Sequence, residues 1–243
     1  MPTYRLELAY DGSGFRGYAR QSGQRTVQGE LEEALKTVLG ATPETAVAGR
    51  TDAGVHARRQ VVSMVTDDPL DTDTVLRSLN GILGSEIAIF GIEQAHDNFN
   101  ARFSAMWRRY RYLVDTGIAP DPMTRHHAWH VGPSIDMERV RSATVPLLGE
   151  HDFSSFCRSV EGRSNVRVVE EAVWEEDDDS WLFWIRANSF CHQMVRSVVG
   201  HLYDVGRGFA PPESTLEVIE ARDRSRVATV APPGGLTLWD VGY

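Results

Sequence analysis

The chain is short of cysteine, of lysine and of long apolar runs. Its 243 residues include only Cys157 and Cys191, too few for a disulfide framework at this length, and no Cys-x-x-Cys pair is available for zinc or redox chemistry. Reduced thiols and a cytoplasmic location are expected. No stretch reaches the roughly 18 apolar residues of a membrane-crossing helix. The opening Met1-Pro-Thr-Tyr-Arg-Leu-Glu-Leu has no basic segment leading into an apolar core, so no targeting or membrane segment is expected. Positive charge is also scarce in total: 34 acids against 25 bases give −9, which as a sum argues against a nucleic-acid partner. The distribution weakens that reading. Of the 25 bases 24 are arginine, Lys36 being the exception, and arginine forks onto phosphate and stacks on bases. Seven acids (Glu170, Glu171, Glu175, Glu176, Asp177, Asp178 and Asp179) crowd into ten residues, and leaving them out changes −9 to −2. They are expected to form a solvated hairpin turned away from any nucleic acid.

What is present, 42% hydrophobic and 24% charged residues, makes a globular chain of one large or two small domains. Tyr4, Leu6, Leu8 and Tyr10 alternate with Arg5, Glu7 and Ala9 as in a half-buried strand. Val27, Leu31, Ala34, Leu35 and Val38 follow at helical spacing behind Thr26, a natural N-cap. A strand near Thr45 to Ala48, another from Gln60 to Thr66, a helix from about Asp73 to Leu83 and a strand from Ile87 to Gln94 complete a βαββαβ order. The second half reads similarly: a strand from about Phe103 to Asp115, a helix from Asp136 to Leu148, strands near Asn165 to Glu175 and Trp181 to Ala187, a helix from Cys191 to Val205, an extra helix near Pro212 to Arg222, and a last strand from Leu236 to Val241. The expected fold is α+β: two ferredoxin-like halves, residues 1–97 and 98–243, with mostly antiparallel sheets flanking a cleft suited to an extended ligand.

Three segments invite chemistry. Gly12-Ser-Gly14-Phe-Arg-Gly17 has the spacing of a dinucleotide fingerprint, but no helix opens at its third glycine, so an arginine-bearing loop that follows a phosphate backbone fits better. His126, His127 and His130 resemble a metal-ligand cluster without the glutamate of a zinc-protease helix, and they read as surface or packing histidines. The third is Ala48-Gly-Arg-Thr-Asp-Ala-Gly-Val-His-Ala57, between two strands, where Gly49 and Gly54 can supply unusual backbone angles and Asp52 stands at the tip. On spacing alone, Arg50, Thr51 and Asp52 also suit a plain hydrogen-bonded turn.

This loop resembles the Gly-Arg-Thr-Asp-Ala-Gly-Val-His signature of the TruA-type tRNA pseudouridine synthases. The resemblance spans nearly the whole chain, through Tyr10 to Gly17, Phe99 to Ala105 followed by Arg108 to Tyr112, Gly149 to Phe156, Met194 to Gly200 and Ala231 to Leu236. It implies a two-lobed fold and an isomerase without cofactor or metal that converts uridine to pseudouridine at positions 38, 39 and 40 of the tRNA anticodon stem-loop, working as a homodimer. By position it makes Asp52 the catalytic nucleophile, Arg196 its ion-pair partner, Tyr110 the ring that packs on the uracil, Leu236 a wall of the pocket and Arg50 an RNA-handling residue. Two places depart from the family: Tyr18-Ala19 stands where Trp-Gln is usual, and Cys191-His192-Gln193 where a histidine pair often precedes Met-Val-Arg.

The reaction breaks the bond from ribose C1′ to uracil N1, turns the base and joins it through C5. An ionised aspartate can attack C1′ or C6, or take a ribose proton on the way to a glycal. Enclosed beside RNA, such a carboxylate needs a cation to stay charged, and arginine keeps its charge while offering two parallel hydrogen bonds. Arg16, Arg20, Arg58, Arg59, Arg108, Arg109 and Arg111, with Arg102, are expected to contact the RNA backbone. On a strand Tyr110 and Tyr112 share one face and Arg109 and Arg111 the other. The alternatives are a non-catalytic RNA-binding or RNA-chaperone module, and a metal hydrolase built on the three histidines.

Overall fold

The computed structural model describes residues 1–158, 162 and 164–243. They form two compact units, Met1–Met106 together with Thr237–Tyr243, and Trp107–Leu236. The boundary expected between residues 97 and 98 therefore falls between Met106 and Trp107, and the last strand returns to the first unit. Backbone pairing is the reason. Strand β10 (Leu236–Gly242) runs parallel to β3 (His56–Val65), with Thr237 opposite His56 and Leu238 opposite Ala57.

In the first unit β1 (Thr3–Tyr10), α1 (Val27–Leu39), β2 (Glu44–Val47), β3, α2 (Thr72–Ile82) and β4 (Ile87–Ala95) follow the expected order. Their sheet order is β4-β1-β3-β2 with every neighbour antiparallel. Each helix thus links two strands that have a third between them, the split βαβ arrangement. Thr26 caps α1 by accepting the Gly29 amide at 3.2 Å, and Gly40 ends it. Val27, Leu31, Ala34 and Leu35 bury the helix's apolar stripe. On β1, Tyr4, Leu6 and Leu8 lie in the core, each fully buried leucine contributing about 1.5–3 kcal/mol. The intervening residues pair with charges: Arg5 meets Glu93 at 2.6 Å, and Glu7 accepts from Arg59 Nε at 2.8 Å.

The second unit holds β5 (Trp107–Asp115), β6 (Trp129–His130), α3 (Met137–Thr144), β7 (Gly149–Asp152), β8 (Val166–Asp177), β9 (Ser180–Ala187), α4 (Met194–Gly206) and α5 (Ser214–Ala221). The order β5-β9-β8-β7 is antiparallel throughout, and β6 adds parallel to β5. Strands β6 and β7 escape a reading of periodicity because two and four residues are too few to alternate visibly. The strand expected from Phe103 starts at Trp107, since Asn100 Oδ1 accepts the amides of Arg102 and Phe103 and closes a turn there. The helix expected from Cys191 starts at Met194.

The acidic segment is a hairpin, as expected: Asp177 pairs with Ser180, and Asp178 takes the left-handed conformation. Six of its seven acids are exposed and Glu171 is half-buried, yet three of them hold partners. Glu171 grips Arg109 through two hydrogen bonds of 2.9 and 2.6 Å, Glu170 holds Arg186 at 2.9 Å, and Glu175 accepts from Trp184 Nε1 at 2.7 Å. The cysteines also differ from expectation: Cys157 and Cys191, read as reduced thiols, pair in a disulfide with Cα atoms 5.7 Å apart. The fold brings the segment after β7 beside the entry to α4, which their separation of 34 residues does not reveal. Among the described residues no helix is long and apolar enough to cross a membrane.

Candidate active site

The signature loop lies between β2 and β3. Its tip is a tight turn closed by the Val55 amide on the Asp52 carbonyl at 3.1 Å, with Gly54 at φ +80°. Gly49, the other glycine expected to need an unusual angle, has no positive φ. The glycines before β10's neighbour β3 are matched by two in the Gly12 to Gly17 loop. Gly12 lies directly against the Val55 carbonyl, where a Cβ has no room, and Gly17, at φ +96°, lies under Thr51 and Ala53 with its missing Cβ 3.0 Å from the Thr51 oxygen. The spacing that imitates a nucleotide fingerprint thus serves backbone-to-backbone contact. The Gly12 amide also bonds His56 Nδ1 at 3.0 Å, and the Tyr18 amide bonds the Thr51 carbonyl at 3.1 Å. Asp52 itself is half-buried and Arg50 exposed, while Thr51, Val55 and His56 are buried.

Three polar side chains stand beneath this loop. Gln60 Nε2 donates to the Gly49 carbonyl at 2.7 Å and to the Tyr10 hydroxyl at 3.2 Å, and Tyr10 shares a 2.8 Å hydrogen bond with Thr51 Oγ1. Tyr18, replacing the family's usual tryptophan, packs its ring 6.3 Å from that of Tyr10. Its hydroxyl is buried without a hydrogen-bond partner among the described residues. Burial, reinforced by Tyr10 and Glu32 and opposed by Arg50, pushes that phenol far up. An unsatisfied buried hydroxyl costs about 1–3 kcal/mol. Tyr18→Phe is therefore expected to raise the melting temperature by about 2–4 °C for each kcal/mol recovered. Thermal unfolding followed by circular dichroism checks this, and a lower melting temperature contradicts it.

In the second unit β5 sorts its side chains as the alternation requires: Arg108, Tyr110 and Tyr112 are buried on one face, Arg109 and Arg111 half-buried on the other. Arg108 therefore does not belong to one basic strip with Arg109 and Arg111. The Tyr110 ring meets Phe190 edge-on at 4.9 Å. Tyr112 donates to the Pro232 carbonyl at 2.8 Å, and Arg196, on the first turns of α4, donates through Nε to the Ala231 carbonyl at 2.8 Å. Ala231 returns its amide to the Arg196 carbonyl at 3.0 Å. The segment leading to the buried Leu236 is thus tied to both Tyr112 and Arg196. Burial raises the Tyr112 phenol's affinity for its proton, and Arg196 opposes this. Sequence reasoning missed Tyr10 and Gln60 beneath the signature loop and, in the second unit, Tyr112 beneath the segment before Leu236; an aromatic or amide on the buried face of a strand was the available signal.

The expected RNA-contacting arginines occupy different environments. Arg16 is exposed in the first loop, and Arg58 is exposed over the Trp239 ring at 5.8 Å. Arg20 holds Glu32 at 2.7 Å and Glu33 at 3.1 Å, Arg59 holds Glu7, and Arg109 holds Glu171 while lying 4.3 Å over Trp184. Arg108 donates to the Asn188 carbonyl at 3.0 Å. The histidines of the metal alternative are not gathered into one ligand set among the described residues. His130 instead bonds Asp115 at 3.0 Å beside β6.

A family model described as tRNA pseudouridine synthase matches residues 143–243. The tRNA pseudouridine synthase A of Streptomyces griseus is 41% identical over 248 residues, covering 98% of this chain and 87% of that protein. That of Methylobacterium sp. is 42% identical over 100% of this chain and 98% of its own, and that of Listeria monocytogenes 38% identical over 100% of both. These full-length matches include the loop around Asp52, the β5 tyrosines and the start of α4. The chain belongs to the tRNA pseudouridine synthase A family and is an isomerase that makes pseudouridine in tRNA.

Proposed function

We propose that the enzyme acts on uridines 38, 39 and 40 of the tRNA anticodon stem-loop, with Asp52 as nucleophile. The observation that supports Asp52 in this role is the loop itself: a half-buried carboxylate at the tip of a turn held by buried, hydrogen-bonded residues, Thr51 before it and Val55 and His56 after the exposed Ala53. Such fixation suits a group that must meet a reacting atom with little reorganisation. Arg196 is assigned the role of the cation that pairs with the Asp52 carboxylate during the reaction. The target uridine leaves its stack at a cost of a few kcal/mol, and Tyr110 offsets about 1–3 kcal/mol of that by stacking. Leu236 closes the apolar side of the pocket. The reaction is an internal exchange: C1′ leaves N1 for C5, the C5 proton is lost and N1 takes one up, so no oxidant, group donor or cofactor is needed.

Arg50, Arg16 and Arg58, exposed and close in sequence to the two loops, are the first contacts for the RNA backbone. Arg20, Arg59 and Arg109 reach phosphate only by sharing or exchanging the carboxylates they already hold; Arg111 completes the proposed set, and Arg108, buried on the other face of β5 and bonded to the Asn188 carbonyl, is left out of it. The enzyme works in the cytoplasm, where its substrate is, as a homodimer. Mass-spectrometric mapping of pseudouridine in unmodified tRNA incubated with the purified protein tests the site. New pseudouridine confined to positions 38–40 is expected, and modification in another arm of the tRNA overturns the assignment.

A further inference from the structure

We infer that Tyr10 and Gln60 are positioning residues for catalysis, forming with Thr51 a buried clamp that holds the backbone on the N-terminal side of Asp52. This rests on the reading of Asp52 as the reacting group. The three residues are 4%, 0% and 8% exposed, so their polar atoms have no water to fall back on. Valence fixes the direction of the Gln60 bonds. The Gly49 carbonyl can only accept, so the Gln60 amide must turn its NH2 toward it at 2.7 Å. The second N–H of that NH2 points at the Tyr10 oxygen, 3.2 Å away. The Tyr10 oxygen accepts there, and its hydroxyl shares a 2.8 Å bond with Thr51 Oγ1 in which either hydroxyl can donate. The remaining Gln60 atom, Oε1, accepts the Val61 amide at 3.3 Å.

The relay runs from Gln60 through Tyr10 to Thr51, and it grips the loop at Gly49 and Thr51, on either side of exposed Arg50. Gln60 is on β3 and Tyr10 ends β1, so both anchors stand on paired strands of the core rather than on loops. Burial pushes the Tyr10 phenol up to about 12, so it keeps its proton at every working pH. Without the relay the loop keeps Gly12 against Val55, Gly17 under Thr51 and Ala53, and the Tyr18 amide on the Thr51 carbonyl, but loses the hold on the Thr51 side chain and on the Gly49 carbonyl. A carboxylate displaced by about 1 Å can lose on the order of 100-fold in rate, through misorientation and not through weaker binding.

The test is single-turnover pseudouridine formation with saturating enzyme, alongside tRNA affinity and melting temperature. Tyr10→Phe and Thr51→Val each remove one side of the same bond, and Thr51→Ser keeps the hydroxyl. Tyr10→Phe and Thr51→Val are each expected to slow the chemical step about 10- to 100-fold with tRNA affinity changed less than about twofold. The double variant should be no slower than the worse single one, because the Tyr10–Thr51 bond that Thr51→Val removes is already lost in Tyr10→Phe, and Thr51→Ser should recover most of the rate. Folded Tyr10→Phe or Thr51→Val protein that reacts at the wild-type rate overturns the inference. So do losses that multiply in the double variant, or losses that lie entirely in tRNA affinity. An active Asp52→Asn enzyme is the separate result that removes the reading of Asp52 beneath it.

Discussion

Asp52→Asn is expected to abolish pseudouridine formation, lowering the single-turnover rate by at least about 1,000-fold, as loss of an essential acting group does. The substitution keeps the size and planar shape of the side chain and removes its charge. It leaves in place the contacts that hold the loop's backbone: the Val55 amide on the Asp52 carbonyl, Tyr18 on Thr51, Gly12 against Val55, and the Gln60 and Tyr10 bonds. A neutral amide can neither attack the sugar or base nor take a ribose proton. Binding of tRNA should survive, since the phosphate contacts are assigned to arginines. Conversion and affinity measured on the same preparation separate these outcomes. An Asn variant that modifies tRNA at a rate near wild type removes Asp52 from the chemistry, and one that fails to bind tRNA shows that the carboxylate shapes the RNA site instead.

Acid is expected to destabilise the fold through His201. This imidazole lies on α4 at 4% exposure, edge-on to Phe156 at 5.9 Å and bonded to Thr215 Oγ1 at 3.1 Å. Burial lowers its pKa to about 4 from 6.5. Below pH 6.5 the unfolded chain takes up a proton at this site that the folded chain refuses, so the stability present above pH 6.5 is lost progressively as pH falls toward 4. A shift of this size amounts to about 3 kcal/mol across that window. Urea unfolding at pH 7.5, 6 and 5 measures the slope. His201→Phe, which keeps a ring in the same space but cannot charge, should flatten it even if it lowers stability at pH 7.5 through the lost Thr215 bond. Equal slopes in the two proteins assign the acid sensitivity to other groups. Carboxylates held low by their partners, such as Asp71 through Thr74 and Asp223 through Ser225, act only at more acidic pH.

Much of the architecture is local and was therefore legible. Leu31, Ala34 and Leu35 behind Thr26 need nothing distant to declare a helix, and the alternation from Tyr4 to Tyr10 declares a strand in the same way. The loop around Asp52 could be found because its residues are contiguous. Other features depend on partners far along the chain. The last strand reads as the end of the second βαββαβ unit until its pairing with β3 places it with the first. The arginines read as a basic path until Glu7, Glu32, Glu33 and Glu171 are found opposite three of them. The cysteines read as free thiols until the fold brings them side by side.

The sequence by itself determined the family, the order of the elements and the residues offered for the reaction, because motif and periodicity are carried by neighbours in the chain. Only the tertiary structure decided which side chains hold which. Tyr10 and Thr51 are 41 residues apart, Tyr10 and Gln60 50, and no pattern along the chain marks them as partners. Their meeting follows from the register of β1 on β3 and from two glycines that let one loop rest on another. Buried polar groups bind whatever the fold places within about 3 Å of them, so the framework of a catalytic loop becomes visible only when strands far apart in sequence are laid side by side.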